Sequence, residues 1–250
     1  MRAITPAVTA CFRRGPPRLN RRDVSGGTSP PENTHGPSVR RADEVFLELG
    51  SHNSVAILSF SPEPGYPRLT QALLAELGKN LEAIRRAGCF RGVVIASGSR
   101  SFATGAELEE IVTLDGAAAW EFALAGQSLF RRIASFPVPV VAAIRGFCLG
   151  GGLDLALACH ARVAAYDASF GHPGPALGLM TGWGGTQRLP RLLGRASGLQ
   201  LLLTGERVPA TQALTLGLVD ELVSSRDLIE AAARRAEVLA TLDFRPSHSA

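Results

Sequence analysis

Apolar and polar residues alternate along the first strongly patterned part of the chain. The stretches "DEVFLELG" (43–50) and "SVAILSF" (54–60) each follow this alternation, and three polar residues separate them. A period of two is typical of β-strands, and a short polar connection between two such runs predicts a hairpin. The sequence therefore predicts two paired strands at the start of the patterned region.

After this hairpin the apolar positions change to a helical spacing. They recur every three or four residues and stop before Gly88, which predicts a helix with one apolar face that ends near this glycine. The apolar positions of this helix are Leu69, Leu73, Leu77, Leu81 and Ile84. Two further helices are predicted, over 117–134 and over 228–242.

Two short runs are apolar throughout rather than alternating. They are "RGVVIASG" (91–98) and "VPVVAAIRG" (138–146). Continuous apolar runs of this length, bounded by turn residues, suit strands that are covered on both faces. Strands that alternate with helices over compact connections predict one α/β domain of repeated ββα units.

Charge divides the chain into two parts. Residues 1–42 carry eight arginines and two acidic residues, a net charge of +6, whereas residues 43–250 sum to −2. Residues 1–42 also contain few large apolar residues, so they cannot bury enough surface to offset the entropy cost of ordering. We expect a basic, disordered tail over 1–42 and one domain over 43–250. Because the basic charge lies in the tail, the domain gives no reason to expect nucleic acid as a partner.

Composition favours a cytoplasmic protein. No apolar run reaches the length of about 18 residues that a membrane span needs, so no membrane is expected. The four cysteines are scattered, with no CxxC pair and no paired histidine spacing. This is typical of reduced thiols rather than of a disulfide framework or a metal site. The arginine-rich tail leaves one alternative, a mitochondrial transit peptide, although its prolines disfavour the amphipathic helix that such a peptide forms.

Three consecutive glycines mark the strongest candidate for chemistry, within "FCLGGGLDLALACH" (147–160). A helix that begins near Gly151 presents free backbone N–H groups and the positive end of its dipole, and glycine lets a ligand approach them. A bound phosphate, an oxyanion and tight helix–strand packing all fit these glycines alone. A second small-residue loop, "SFATGAELEE" (101–110), also follows a buried strand. It favours the oxyanion, because two loops at neighbouring strand ends can direct two N–H groups at one point.

These loops and their neighbours resemble the crotonase superfamily, also called the enoyl-CoA hydratase/isomerase family. The matching segments are "FATGAEL", "PVVAAIRGFCLGGGLDLALACHARVA", "LGLMTGWGGTQRLPRLLG" and "LLLTGERVPATQALTLGLVDEL", in the family's order and spacing, over roughly residues 44–240. The resemblance implies a spiral of ββα units with a helical C-terminal part, homotrimers or hexamers, and acyl-CoA thioester substrates. No metal is expected, and no cofactor beyond the coenzyme A of the substrate.

By the family's pattern, the N–H groups of Ala106 and Gly151 form an oxyanion hole for a thioester enolate. Asp154 stands where the family's hydratases have their first catalytic glutamate, in the first turn of a helix whose dipole favours a carboxylate. Simple charge pairing at the helix N-terminus is the alternative for Asp154. The second glutamate is replaced by Gly174. His172 lies two residues before it, as an auxiliary acid or base or merely as a filler.

The departure at Gly174 leaves three interpretations of the function. The leading one is an enzyme of enoyl-CoA hydratase type, which adds water reversibly to 2-enoyl-CoA thioesters in fatty-acid and acyl-CoA metabolism. The second is an enoyl-CoA double-bond isomerase, which needs one carboxylate. The third is an acyl-CoA-binding relative without catalysis.

The same resemblance implies the substrate contacts. Arg68 is expected at the phosphates of coenzyme A or simply solvated at a helix start, and Trp183 over the acyl pocket or in the core. The predicted substrate-binding residues are Arg68, Leu69, Thr104, Gly105, Ala106, Glu107, Gly150 and Trp183. The sequence is shorter at its C-terminal side than is usual in the family, which predicts an acyl pocket that is more open or is closed by a neighbouring subunit.

Overall fold

A six-stranded sheet forms the centre of the fold. The computed structural model describes residues 47–60, 66–242 and 244–246, so the predicted tail and the start of the domain at 43–46 lie outside the described residues. In spatial order the strands are β1 (Leu47–His52), β2 (Val55–Phe60), β3 (Gly92–Ser97), β4 (Val140–Ile144), β6 (Ala161–Ala165) and β9 (Glu221–Val223). The first pair is antiparallel and every later pair is parallel.

The pairing of β1 with β2 confirms the predicted hairpin. His52 lies opposite Val55, and the turn between them places Asn53 at φ 52°. Asparagine tolerates this left-handed conformation better than most residues with a side chain. β2 then pairs with β3 from Val55 opposite Gly92, which starts the parallel part of the sheet.

A second, smaller sheet stands beside the first. It consists of β5 (Phe147–Leu149), β7 (Ser169–Gly171) and β8 (Val208–Pro209), with β7 in the middle. An isolated parallel bridge joins Ala103 to Cys148 of β5. This bridge ties the loop that follows β3 to the strand that leads into the three glycines.

Helices connect the strands and cover both faces of the main sheet. In the described residues they are α1 (Gln71–Ala87), α2 (Leu108–Ile111), α3 (Gly116–Ala134), α4 (Gly151–Ala158), α5 (Gly185–Leu193), α6 (Arg195–Thr204), α7 (Ala210–Thr215) and α8 (Leu228–Thr241), with a 3-10 helix over Gly174–Leu177. The ends of α1 follow its sequence signals: the Thr70 side chain caps the first turn, and Gly88 ends the helix at φ 63°. The three helices predicted from periodicity are confirmed as α1, α3 and α8.

The central strands are buried on both faces, as their continuous apolar runs predict. Val93 and Ile95 of β3 belong to a large core that also contains side chains of α1, α3 and α4. Val94 and Ala96 belong to a second core, which is closed by the small side chains of α8. The structure thus confirms an α/β architecture of ββα units, with a helical part toward the C-terminal side.

Candidate active site

Two backbone segments run side by side next to β5. The N–H of Ala103 donates to the carbonyl of Phe147 at 3.0 Å, and the N–H of Leu149 donates to the carbonyl of Ala103 at 2.9 Å. Each segment then passes through a glycine with positive φ, 112° at Gly105 and 52° at Gly150. A Cβ added to Gly105 would lie 3.4 Å from the Leu149 carbonyl oxygen. Glycine therefore allows both the backbone conformation and the close approach.

The N–H groups of Ala106 and Gly151 follow directly after these glycines. Within the described residues, neither N–H donates to a protein acceptor. Gly151 is the first residue of α4, so its N–H belongs to the free, electropositive end of that helix. A Cβ added to Gly151 would lie 3.4 Å from the Ala106 nitrogen, so the two donors are close neighbours.

A cavity of about 360 Å³ lies against these two residues. Its wall is largely apolar, and among the described residues that line it, Asp154 and His172 have the only side chains that titrate. The apolar wall includes Leu108, Ile111, Leu114, Phe122, Leu177, Leu179, Met180, Trp183 and Leu202. A cavity of this kind suits a ligand with an apolar chain and a polar reacting end.

Asp154 lines the cavity and has no exposed surface. The Thr181 hydroxyl and the Trp183 backbone N–H both donate to Oδ2, the latter at 3.2 Å, whereas Oδ1 accepts no hydrogen bond from the described residues. Burial raises the pKa of Asp154 to about 6, and the bonds from Thr181 and Trp183 hold it below the value that burial alone would give. A carboxyl group with this pKa can both take up and release a proton near neutral pH.

His172 lies beside the unpartnered oxygen of Asp154. Its Nε2 is 3.5 Å from Oδ1, and neither ring nitrogen has a hydrogen-bond partner in the described residues. Burial lowers the pKa of His172 to about 4, so the ring is neutral at pH 7 and the contact is not an ion pair. The structure thus places the predicted auxiliary residue next to the candidate acid/base group.

Gly174 opens the 3-10 helix near the cavity, and the loop leaves no space for a larger residue. A Cβ added to Gly174 would lie 2.7 Å from the carbonyl oxygen of Leu179. Such a contact requires the backbone to shift, because a carbonyl group cannot rotate away like the end of a long side chain. A carboxylate side chain at this position therefore requires the backbone of the loop to move.

Trp183 belongs to both the core and the cavity wall. Its ring packs 5.1 Å from that of Phe122 and 5.7 Å from that of Phe130, and its Nε1–H donates to the Phe122 carbonyl at 3.3 Å. A Cβ at either Gly126 or Gly151 would overlap the indole. These two glycines form the slot that holds the ring against the N-terminus of α4.

The residues predicted to bind the substrate fall into two groups. Arg68 and Glu107 do not line the cavity but pair with each other, since Nη1 of Arg68 donates to both carboxylate oxygens at 2.8 and 2.9 Å. Leu69 is fully buried, and its N–H donates to the Gly105 carbonyl at 2.8 Å, so it anchors the loop from behind. The predicted residues that do line the cavity are Thr104, Gly105, Ala106, Gly150 and Trp183.

Three residues around Asp154 were missed by sequence reasoning. Thr181 binds Oδ2, a Cβ added to Gly185 would overlap Oδ1, and the positive charge of Arg188 lowers the pKa of Asp154. All three lie in "TGWGGTQR" (181–188). The closely spaced glycines of this segment were a signal for close backbone approach, but they do not reveal which side chain approaches.

The described residues contain neither a membrane-spanning helix nor a metal-binding cluster. None of the described helices combines the length and the apolar character needed to cross a bilayer. The described residues also contain no group of three or more His, Cys, Asp and Glu side chains placed to hold a metal ion. Cys148 and Cys159 are free and buried, as expected for reduced thiols.

Comparisons with known proteins identify the family of the chain. The sequence profile of the family described as "Enoyl-CoA hydratase/isomerase" matches residues 51–245. A Bacillus subtilis (strain 168) protein named "Probable enoyl-CoA hydratase" is 41% identical over 174 residues, which are 69% of this chain and 67% of the relative.

Solved structures share the fold. An enoyl-CoA hydratase from Bacillus anthracis superposes with a TM-score of 0.74 at 34% identity, covering 78% of this chain and 76% of the other. DspI from Pseudomonas aeruginosa superposes with a TM-score of 0.73 at 32% identity, covering 78% and 74%. These matches confirm the crotonase-like spiral that the motifs imply. Together with the profile match over most of the domain, they show that the chain belongs to the enoyl-CoA hydratase/isomerase family of the crotonase superfamily, whose enzymes act on acyl-CoA thioesters.

Proposed function

We propose that this enzyme adds water reversibly to the double bond of a 2-enoyl-CoA thioester, with Asp154 as its proton-transfer group. The observation that carries the proposal is the position of Asp154 Oδ1. This oxygen is buried and accepts no hydrogen bond from the described residues, and Asp154 lines the same cavity as Ala106 and Gly151, whose N–H groups are free. A base and an oxyanion site in one apolar cavity are what enolate chemistry requires.

The thioester carbonyl accepts hydrogen bonds from the Ala106 and Gly151 N–H groups. When water adds to the β-carbon, electrons move toward this carbonyl and an enolate forms. Two fixed N–H groups stabilise that charge, and loss of one such donor in other enzymes raises the barrier by about 3–4 kcal/mol. Since both donors belong to the backbone, the stabilisation does not depend on any ionisable side chain.

Asp154 carries the proton in this scheme. At pH 7 a carboxyl group with a pKa of about 6 is mostly ionised, so Oδ1 takes a proton from water while the water oxygen bonds to the β-carbon. The same oxygen then gives that proton to the α-carbon of the enolate. The step is balanced with one carboxylate: one O–H bond of water and the π bond between the α- and β-carbons break, and a C–O bond and a C–H bond form. No oxidant or reductant takes part, so the proposal requires no redox cofactor.

A second candidate function, migration of the double bond, is favoured by Gly174. Hydratases of this family use two glutamates, and among the described lining residues Asp154 is the only carboxylate. One carboxylate suffices to move a proton between two carbons of a 3-enoyl-CoA. His172 is neutral at pH 7 and does not replace the missing charge.

An assay with two substrates separates these functions. Crotonyl-CoA loses its enoyl absorbance when it is hydrated, and a 3-enoyl-CoA gains that absorbance when its double bond migrates. We expect hydration of crotonyl-CoA, with kcat reduced about 100-fold or more in Asp154→Asn. Isomerisation without hydration would favour the second candidate. Binding of acyl-CoA with no turnover of either substrate would favour a protein without catalysis.

The substrate contacts and the assembly are part of the same proposal. We propose that Thr104, Gly105, Gly150 and Trp183 border the bound thioester, because they line the cavity with the two N–H donors. Arg68 is proposed to reach the phosphates of coenzyme A from the edge of the site. A homotrimer or hexamer remains a prediction from the family, and a cytoplasmic location remains a prediction from the composition.

A further inference from the structure

Asp154 presents two oxygens in unlike surroundings. Oδ2 accepts the Thr181 hydroxyl and the Trp183 N–H, and Oδ1 accepts nothing from the described residues. A carboxylate held at one oxygen by two donors cannot rotate freely, because rotation would break both hydrogen bonds in a buried site. The two donors therefore fix the direction in which Oδ1 points.

The glycines of the 181–185 segment make this arrangement possible. A Cβ at Gly185 would overlap Oδ1, and it would also lie 2.9 Å from the Cγ2 of Thr181 and 3.0 Å from the Cε1 of His172. Gly185 is also the first residue of α5, so Asp154 lies at the electropositive end of that helix as well as in the first turn of α4. The segment thus closes around the carboxylate on the side away from α4.

We propose that Thr181 is a positioning residue: its hydroxyl, together with the Trp183 N–H, holds Asp154 through Oδ2 so that Oδ1 alone exchanges protons with the substrate. The inference rests on the proposed function of Asp154 and adds how that function is directed. Thr181 acts through Asp154 and is not itself a catalytic residue. Its hydrogen bond also favours the ionised form of Asp154, because a hydroxyl donor stabilises the carboxylate more than the acid.

The charged and titratable groups that face Asp154 set the background for a test. They are His172 after β7, which is neutral at pH 7, Arg188 of α5, whose charge lowers the pKa of Asp154, and Cys148 of β5, whose thiol pKa burial raises well above its ordinary value. A substitution at Thr181 removes none of these groups. A change in the titration of Asp154 in a Thr181 variant therefore reports on the hydroxyl.

The test is a carboxyl ¹³C NMR titration of protein labelled at aspartate, in wild type, Thr181→Val and Thr181→Ser. The Asp154 resonance is assigned by its absence in Asp154→Asn. We expect the pKa of Asp154 to rise by about one unit or more in Thr181→Val and to return to the wild-type value in Thr181→Ser. Thr215→Val, which removes an exposed threonine hydroxyl of α7 that bonds Thr211, is the matched control and is expected to leave the titration unchanged.

Kinetics supply the second readout. In Thr181→Val we expect kcat to fall about ten-fold with little change in KM, and the acidic limb of the pH profile to move to higher pH. Thr181→Ser should restore both.

If Thr181→Val does not fold, Thr181→Ala replaces it. An Asp154 titration in the hydroxyl-free variant that matches wild type overturns the inference. Absence of turnover in wild type, with the titration shift present, refutes the proposed function and leaves only the hydrogen bond from Thr181 to Asp154, without a role in proton transfer.

Discussion

The two sides of the cavity are built in different ways. On one side, the N–H groups of Ala106 and Gly151 come from backbone segments that hydrogen bonds and glycines hold in place. On the other side, Asp154 receives its surroundings from side chains and backbone of two distant segments, at His172 and at 181–185. The two backbone N–H groups carry no ionisable charge. The carboxylate side depends on burial and on a few hydrogen bonds, so its chemistry is sensitive to small changes.

The largest expected effect comes from separating the two backbone segments. A Cβ at Gly152 would overlap the Ala103 carbonyl oxygen and lie 2.8 Å from the Ala103 Cβ. In Gly152→Ala we expect activity to fall by about 100-fold or more, because the two N–H donors no longer share one position. Overpacking should also lower the free energy of unfolding by about 1–3 kcal/mol. Steady-state kinetics and urea denaturation measure the two effects.

Gly116→Ala is the control for this substitution. A Cβ at Gly116, the first residue of α3, would have no heavy atom of another residue within 4 Å beyond its chain neighbours, so stability and activity should stay near wild type. A fully active Gly152→Ala protein would show that the close approach of the two segments is not needed for catalysis.

The next largest effect concerns the charge of Asp154, on the other side of the cavity. The folded protein holds the Asp154 proton more tightly than the unfolded chain does, since burial raises its pKa to about 6. This group therefore favours folding below about pH 4, and its contribution is lost as the pH rises through 6. Between pH 4 and pH 8 we expect wild type to lose about 3 kcal/mol of stability relative to Asp154→Asn. Urea denaturation at several pH values measures this difference.

The contribution of His172 runs in the opposite direction, because burial lowers its pKa and disfavours folding as the pH falls through 6 toward 4. It is present in both proteins and largely cancels in the difference. Asp167→Asn, a change of an exposed carboxylate, should keep the wild-type pH dependence. Parallel stability curves for wild type and Asp154→Asn would mean that Asp154 does not titrate in this range.

A smaller effect is expected when a carboxylate is put back at Gly174. Because a Cβ there would lie 2.7 Å from the Leu179 carbonyl oxygen, Gly174→Glu should lower the free energy of unfolding by about 1–3 kcal/mol without increasing hydration of crotonyl-CoA. Thermal unfolding and the absorbance assay measure the two quantities. Gly174→Ala introduces the same steric overlap without the charge, and we expect it to lower the free energy of unfolding by a similar amount. Faster hydration by a stable Gly174→Glu protein would show that the loop moves aside.

The smallest effect concerns the edge of the site. Arg68 is 55% exposed and pairs with Glu107, and exposed ion pairs contribute at most about 1 kcal/mol. If Arg68 also attracts the phosphates of coenzyme A, Arg68→Gln should raise KM several-fold with kcat nearly unchanged and the unfolding temperature close to that of wild type. Arg85→Gln, in the last turn of the helix that follows Arg68, should leave KM unchanged. If KM is the same in Arg68→Gln and Arg85→Gln, Arg68 pairs with Glu107 and does not contact coenzyme A.

The sequence by itself determined the order of the elements and the backbone side of the cavity. Period-two alternation, helical spacing and continuous apolar runs are local patterns, and each reports which face of one element is buried. The glycines after β3 and β5 also act locally, because positive φ at Gly105 and Gly150 is a property of single residues. The donors at Ala106 and Gly151 were therefore predictable from short stretches of sequence and from the family's motifs.

Tertiary structure alone decided the carboxylate side. Thr181 and Gly185 are about 30 residues from Asp154 in the chain, and no local pattern says that "TGWGG" closes over that carboxyl group. The same holds for Arg68, which the structure pairs with Glu107 rather than placing in the cavity, and for the space at Gly174 that the Leu179 carbonyl occupies. Desolvation, hydrogen bonds and steric exclusion depend on which distant atoms surround a group, and only the packed chain determines those neighbours.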